Sequence, residues 1–246
     1  MNPERNLNII DEEIFCISEL GYVLLKMGYY EKAEKHLLTS LEKFEAKNKI
    51  TENNDRYFFI LLYLGFVYVK LENYKESQRY YEKSLQASSN NPTKTNKALA
   101  YNNLGLLFCQ MGDYKKSEEY YKQSEDLYRE LDVTLGDNVG NLKNNRGVLY
   151  TRMKQWSKAE ECYKTAIQIL KELFDNYHEY LALAYSNFGL WLQENGKLDD
   201  AKKYFEDSKE MRIKLFGETH VDVACTVGPQ YKGNTLNHIF YIKFTN

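Results

Sequence analysis

Three asparagines, Asn103, Asn145 and Asn187, follow one another at intervals of 42 residues. A carboxamide donates and accepts hydrogen bonds, so a row of them suits gripping the main chain of a peptide whatever its side chains. Satisfying neighbouring parts of the same protein, or water, is an equally physical use of the same groups. Other chemistry is sparse. The chain contains no Walker loop and no G-x-G-x-x-G, H-E-x-x-H or G-x-S-x-G, so phosphate cradles, zincin sites and serine-hydrolase elbows have no support. His36, His178, His220 and His238 are scattered, and Cys16, Cys109, Cys162 and Cys225 stand singly without a C-x-x-C pair. Neither a metal centre nor a disulfide framework is expected, and the cysteines read as reduced and partly buried. Carboxylate pairs such as Glu12-Glu13, Glu118-Glu119, Glu160-Glu161 and Asp199-Asp200 diverge by about 100° around a helix and read as solvated faces. No cofactor and no enzymatic activity are expected.

Over the 246 residues of the chain, 33 basic and 35 acidic side chains leave a net charge of -2. No global positive field therefore recruits nucleic acid or anionic lipid. The mean hydropathy is -0.63, and no apolar run approaches the ~20 residues of a membrane span. The polar start, residues 1–10, lacks the apolar stretch of a signal peptide, so a cytoplasmic location is expected. The partners left to consider are proteins or peptides. Pro3, Pro92 and Pro229 are the only prolines, which leaves a long stretch free for helices.

The elements that would position the asparagines come from an internal period. Gly21, Gly65, Gly105, Gly147 and Gly189 sit in one local context at spacings of 44, 40, 42 and 42 residues. Three residues beyond each stands a large group: Leu24, Tyr68, Phe108, Tyr150, Leu192. Twelve beyond stand only Ala33, Ser77, Ser117, Ala159 and Ala201. Sixteen beyond come Leu37, Tyr81, Tyr121, Tyr163 and Phe205, and nineteen beyond Ser40, Ser84, Ser124, Ala166 and Ser208. This is a helix pair that must stack on copies of itself to bury its apolar face. The glycine and the small residue twelve later are expected to face each other where the two helices approach closely. Gly28, Gly112 and Gly196, seven beyond the first glycine, supply the positive-φ turn that ends the first helix. Glu72 and Lys154 take that place in the second and fourth repeats.

The pattern L-G-x-x-[LYF]…G-x-Y-x-x-A…[FY]-x-x-[AS] resembles the tetratricopeptide repeat. Arg146 departs from it, standing where an apolar residue precedes the glycine, and looser packing is expected there. The ~34-residue period of the ordinary repeat is exceeded here. The segment from Arg212 through Gly217, His220 and Asp222 to Ala224 is similar to the linker of kinesin light chains and related 42-residue repeat proteins, with Val221 in place of their proline. The resemblance implies an all-α, right-handed superhelix of helix-turn-helix repeats. Residues 1–226 would form the array, with repeats at about 12–50, 55–90, 95–132, 138–175 and 179–217 and the start of a sixth. Helix pairs are expected at about 13–27 and 30–46, 56–71 and 74–88, 95–111 and 114–131, 139–153 and 156–174, and 179–195 and 198–215. Loops are expected at 88–92 and 132–138, and no independent domain boundary is visible. His178 and His220, at equivalent junctions, read as helix-start or connector residues. The sixth glycine is due at 231, where Tyr231 stands. Residues 227–246 are thus a divergent tail, either the end of a chain shortened relative to a longer relative or a segment folded back over the fifth repeat.

In such a superhelix the first helices line the concave face. Two residues before each glycine stand Glu19, Tyr63, Asn103, Asn145 and Asn187; proteins of this resemblance use asparagines there to hold the backbone of an extended peptide. One residue after come Tyr22, Phe66, Leu106, Val148 and Leu190, candidate walls for ligand side chains or residues covered by the adjacent repeat. Five after come Lys26, Lys70, Gln110, Arg152 and Glu194. The cations favour a ligand with acidic residues, although lysines at helix C-termini also answer the helix dipole. Expected, then, is an interaction scaffold or adaptor whose groove binds an extended or helical peptide. A regulatory subunit of a signalling enzyme, or a peptide-responsive regulator, is the alternative.

Overall fold

The computed structural model describes residues 3–47, 55–89, 94–174, 177–218 and 223. Among them are ten helices and no strand. The chain falls into two compact units, Met1–Asp113 and Tyr114–Asn246. An array built on nearest-neighbour contacts has no single core, so such a division is natural to it although the sequence shows no boundary.

The first unit holds α1 (Pro3–Lys26), α2 (Tyr30–Lys47), α3 (Asp55–Lys70), α4 (Tyr74–Ser89) and α5 (Lys94–Met111). Helices α1 and α2 pair, as do α3 and α4, and α5 packs on α4 and α3. Helix α1 starts about ten residues before its expected onset. Pro3 is its first residue, a place where the missing N–H costs nothing. The core gathers Ile14, Leu37, Phe44, Ile60, Leu61 and Leu64. Each fully buried aliphatic side chain contributes about 1.5–3 kcal/mol.

The second unit holds α6 (Tyr114–Glu130), α7 (Asp137–Arg152), α8 (Trp156–Leu173), α9 (Glu179–Glu194) and α10 (Leu198–Phe216). Here α7 pairs with α8 and α9 with α10, and α7 also meets α9. The second helix of a repeat shows why the small and large positions recur: α6 buries Ser117, Tyr121, Ser124 and Tyr128, one stripe at i, i+4, i+7 and i+11, and leaves Lys115, Lys116, Glu119, Lys122 and Arg129 outside.

The glycines make room for a large side chain of the second helix. A Cβ built on Gly21 would lie 2.7 Å from Cγ of Leu37, one on Gly147 2.6 Å from Cε1 of Tyr163, and one on Gly189 2.9 Å from Cε1 of Phe205; Gly65 meets Tyr81 in the same way. The large residue sixteen later thus lies directly over the glycine, and the small residues twelve later, Ala33, Ser77, Ser117, Ala159 and Ala201, are all fully buried. A side chain there would occupy the volume of the ring or isobutyl group laid across the first helix. In the first and fifth repeats the position nineteen beyond ties the helices by a hydroxyl: Ser40 donates to the Ile14 carbonyl at 3.0 Å and Ser208 to the Ala182 carbonyl at 2.7 Å.

Each first helix ends as expected. Gly28, Gly112 and Gly196 have φ of 82°, 82° and 76°, and Glu72 and Lys154 adopt 60° and 58° in their places. The following N–H reaches back five residues to the carbonyl of the large group, Tyr29 to Leu24, Asn73 to Tyr68, Asp113 to Phe108, Gln155 to Tyr150 and Lys197 to Leu192, at 2.8–3.0 Å. That is the Schellman closure. The loop expected from residue 88 begins later, since α4 runs through Ser89. His178 caps α9, its Nδ1 accepting from the Tyr180 N–H at 3.2 Å while the ring stacks on Phe174. His220, His238, Cys225, the end of the linker motif and the tail at 227–246 lie outside the described residues. Of the other cysteines Cys109 is buried, Cys162 is half-buried, and Cys16, contrary to expectation, is exposed.

Candidate functional site

The candidate groove residues divide by unit. In the first, α1 and α3 bring the residue after one glycine against the residue two before the next. Tyr22 stacks on Tyr63 with ring centroids 4.7 Å apart, and Phe59, one turn before Tyr63, adds a third ring at 6.0 Å. Burial, then Tyr22 and Glu19, push the Tyr63 phenol above its ordinary pKa, so it remains a neutral donor. Tyr22, Tyr63, Phe66, Asn103 and Leu106 are all half-buried, exposed enough to be touched from outside. Lys26 lies over the Tyr22 ring at 5.7 Å and Lys70 over Phe66 at 5.3 Å. Both are i, i+4 pairs on one helix, so the cations are held at the rim by the rings they flank.

In the second unit the same register goes inward. Asn145 and Asn187 are each 2% exposed. The Asn187 amide donates to Asn144 Oδ1 at 3.0 Å, and Asn144 donates to Asn145 Oδ1 at 3.4 Å. The three amides form a ladder between α7 and α9. Asn187 thus meets the preceding repeat and Asn145 its own neighbour on α7, and the amide row of the sequence does not continue there as an open surface. Val148 and Leu190 are buried as well. Arg152 is half-buried and acts on Glu194, whose carboxyl is raised by partial burial and drawn back down by that guanidinium.

Arg146 is not a loose spot. Its guanidinium donates to Glu125 Oε2 at 2.5 Å and to the Tyr150 hydroxyl at 2.9 Å, and that hydroxyl donates to Glu118 at 3.0 Å. Lys143 takes the other oxygen of Glu125 at 2.5 Å. The arginine replaces an apolar contact by a charged clasp between α6 and α7.

Sequence reasoning missed the ends of the groove stripe. Phe15 and Phe59 stand six residues before Gly21 and Gly65, and extending the -2 and +1 positions one helical turn backward would have found them. With Tyr63 and Ile60 they line a cleft of about 520 Å³ between α1 and α3, whose walls also carry Asp11, Glu19, Asp55 and Arg56. Among the described residues no group of three or more histidines, cysteines or carboxylates is arranged to hold a metal ion. None of the described helices is long and apolar enough to cross a membrane.

Comparison with known proteins agrees with this architecture. A family model described as tetratricopeptide repeat matches residues 57–130 and 138–214. Two curated relatives, both "Cell division cycle protein 16 homolog", match over 107 residues: the Mus musculus protein at 34% identity and the Homo sapiens protein at 33%. The match takes in 43% of this chain but only 16% of the length of those relatives. Among solved structures, BtubC (BKLC) from P. vanneervenii superposes with a TM-score of 0.63 at 21% identity, covering 91% of this chain and 86% of that one. A putative kinesin light chain of nearly identical TPR-like repeats from Podosopora anserina gives 0.57 at 14% identity, covering 83% and 97%. The apo form of RapI gives 0.62 at 13%, covering 92% and 80%. At these identities the structural likeness speaks for the fold: an all-α solenoid of the kind found in kinesin light chain-type repeats. With the glycine, ring and turn positions recurring in register and the family model covering most of the array, this chain belongs to the tetratricopeptide repeat family.

Proposed function

We propose that this chain is a cytoplasmic, non-enzymatic interaction scaffold that captures an extended peptide of a partner protein on the first-helix face of its N-terminal unit. The observation that carries the reading is the half-buried ring surface of Tyr22, Tyr63 and Phe66, with Asn103 and Leu106 in the same register on α5. Partly exposed aromatic rings on rigid helices offer contact area at little entropic cost. In this reading the Asn103 amide holds the peptide main chain and Leu106 contacts its side chains. Lys26 and Lys70 favour acidic residues at the rim. Asn145, Asn187, Val148 and Leu190 have structural roles, and Arg152 lies apart, beside Glu194.

The test is selection of a displayed library of random dodecapeptides on the full chain, followed by hydrogen-exchange mapping of a selected peptide. Protection concentrated on α1, α3 and α5 supports groove capture. No enrichment over an unrelated helical protein, or a footprint confined to α2 and α4, would sink it.

A further inference from the structure

The cleft between α1 and α3 has a chemistry that the rim lysines do not share. Its apolar walls are the rings of Phe15, Phe59 and Tyr63, and at about 520 Å³ it has the size of a small-ligand pocket. The carboxylates of Glu19 and Asp55 stand among those rings. Asp55 is fixed from a third helix, its Oδ1 accepting from the Asn96 amide at 2.8 Å. Glu19 is exposed, and its charge is felt at the Tyr63 phenol. Asp11 is committed to an ion pair with Lys47. Arg56 sits with its guanidinium 5.1 Å from the Phe15 ring centre while donating to the Asp11 carbonyl at 2.9 Å. One guanidinium thus already lies on a ring of this cleft, and Glu19 and Asp55 together outweigh its charge.

We infer that the cleft receives a basic side chain, arginine or lysine, of the captured peptide, stacked against Phe59 and Tyr63 and neutralised by Glu19 and Asp55. Aromatic faces and carboxylates together are the complement of a long cation with an apolar stem: the stem covers the rings, the head meets the anions, and cation–π attraction adds to both. The same two helices carry Lys26 and Lys70 at their C-terminal ends. Along both helices the carboxylate of the cleft precedes the lysine, Glu19 before Lys26 and Asp55 before Lys70, so the α1–α3 face passes from acidic to basic towards its C-terminal end. A ligand with one basic residue and acidic residues beyond it is seated in one direction only. This inference rests on the groove-capture reading and adds to it the class of side chain and its place.

The dodecapeptide selection tests both separately. Peptides sharing one arginine or lysine position are expected, with the Kd of a representative weakening about five-fold in Glu19→Gln and again in Asp55→Asn and weakening further as salt is raised on the unaltered protein. Both substitutions keep size and hydrogen-bonding capacity, and unchanged thermal melts confirm that the fold is intact. Enriched peptides with no shared basic position, or a basic peptide whose affinity is indifferent to both substitutions and to salt, would overturn the cleft assignment while leaving groove capture standing. A library that enriches nothing removes both.

Discussion

The ring of Tyr163 lies across the backbone of Gly147, so that a methyl group on that glycine would stand 2.6 Å from Cε1. The contact is clamped at its far end. Thr151 donates to the Gly147 carbonyl at 2.9 Å, and its hydroxyl is 3.2 Å from that of Tyr163. Tyr163 is 1% exposed, so its ring cannot swing out into solvent without giving up its buried contacts.

Gly147→Ala is therefore expected to destabilise the protein by up to about 2 kcal/mol, the balance of an overpacking cost of about 1–3 kcal/mol and the ~1 kcal/mol of helix propensity that alanine gains over glycine. Urea unfolding measures it. A stability equal to or above that of the unaltered chain would mean that the tyrosine yields freely, and that the recurring glycine is not needed for close packing. Gly147→Ala combined with Tyr163→Leu should recover part of the loss, because the smaller side chain opens the space.

The turns give a prediction of opposite sign. Glu72 and Lys154 adopt φ of 60° and 58° where their counterparts are glycines at 76–82°. The left-handed region costs an ordinary residue about 1–2 kcal/mol, partly offset by the greater freedom of glycine in the unfolded chain. Glu72→Gly and Lys154→Gly should each raise stability by about 0.5–1 kcal/mol, read as a higher denaturant midpoint at unchanged slope. A lower midpoint for both would mean that side-chain contacts at the turn outweigh backbone strain.

Those two features differ in how far residue type alone reveals them. A glycine at a helix end has one reason to recur, so the turns at Gly28, Gly112 and Gly196 were legible, and Glu72 and Lys154 could be placed by register. The glycine inside the first helix signals a close approach but not its partner. Small residues at +12 and large ones at +16 both recur, and which of them lies across the glycine depends on the crossing of two helices. The asparagines illustrate a stronger limit. A polar residue at period 42 fits an outer row or an inner ladder alike, and Asn187 is found bonded to Asn144 because that neighbour is itself an asparagine one residue out of register with the row. Phe15 and Phe59 went unseen because they precede the recurring motif, although they share its helical face.

The clasp on Glu125 makes acid stability testable. Burial raises this carboxyl, but the hydrogen bond from Lys143 and the charges of Arg146, Lys143 and Arg129 outweigh it and hold the group below its ordinary value of 4.5. A depressed pKa in the folded state means that the native form keeps its negative charge where the unfolded form has begun to bind a proton. The stabilisation is complete above the ordinary value and is lost as pH falls through the folded one. Glu125→Gln should lower the melting temperature at pH 7 and narrow the gap to the unaltered chain as the medium is taken from pH 5 to about 3. A gap that stays constant over that interval would show that the carboxylate is not charge-stabilised by α7.

The last prediction separates the two kinds of asparagine. Asn144 stands between Asn145 and Asn187 in the buried ladder, so Asn144→Ala leaves the Asn187 donor without that acceptor in a dry environment, at a cost of about 1–3 kcal/mol. The affinity of a selected dodecapeptide should be unchanged once measured well below the melting temperature, since the ladder amides are buried within the second unit and the proposed peptide is held by the first. Asn103 is half-buried, and Asn103→Ala should stay within about 0.5 kcal/mol of the unaltered stability while weakening the same peptide several-fold, because a main-chain contact in the groove would be lost. The pair of measurements is diagnostic in both directions. If Asn144→Ala melts with the unaltered chain, the ladder is not structural; if Asn103→Ala binds the peptide undiminished, capture proceeds through the tyrosine and phenylalanine rings without help from an amide.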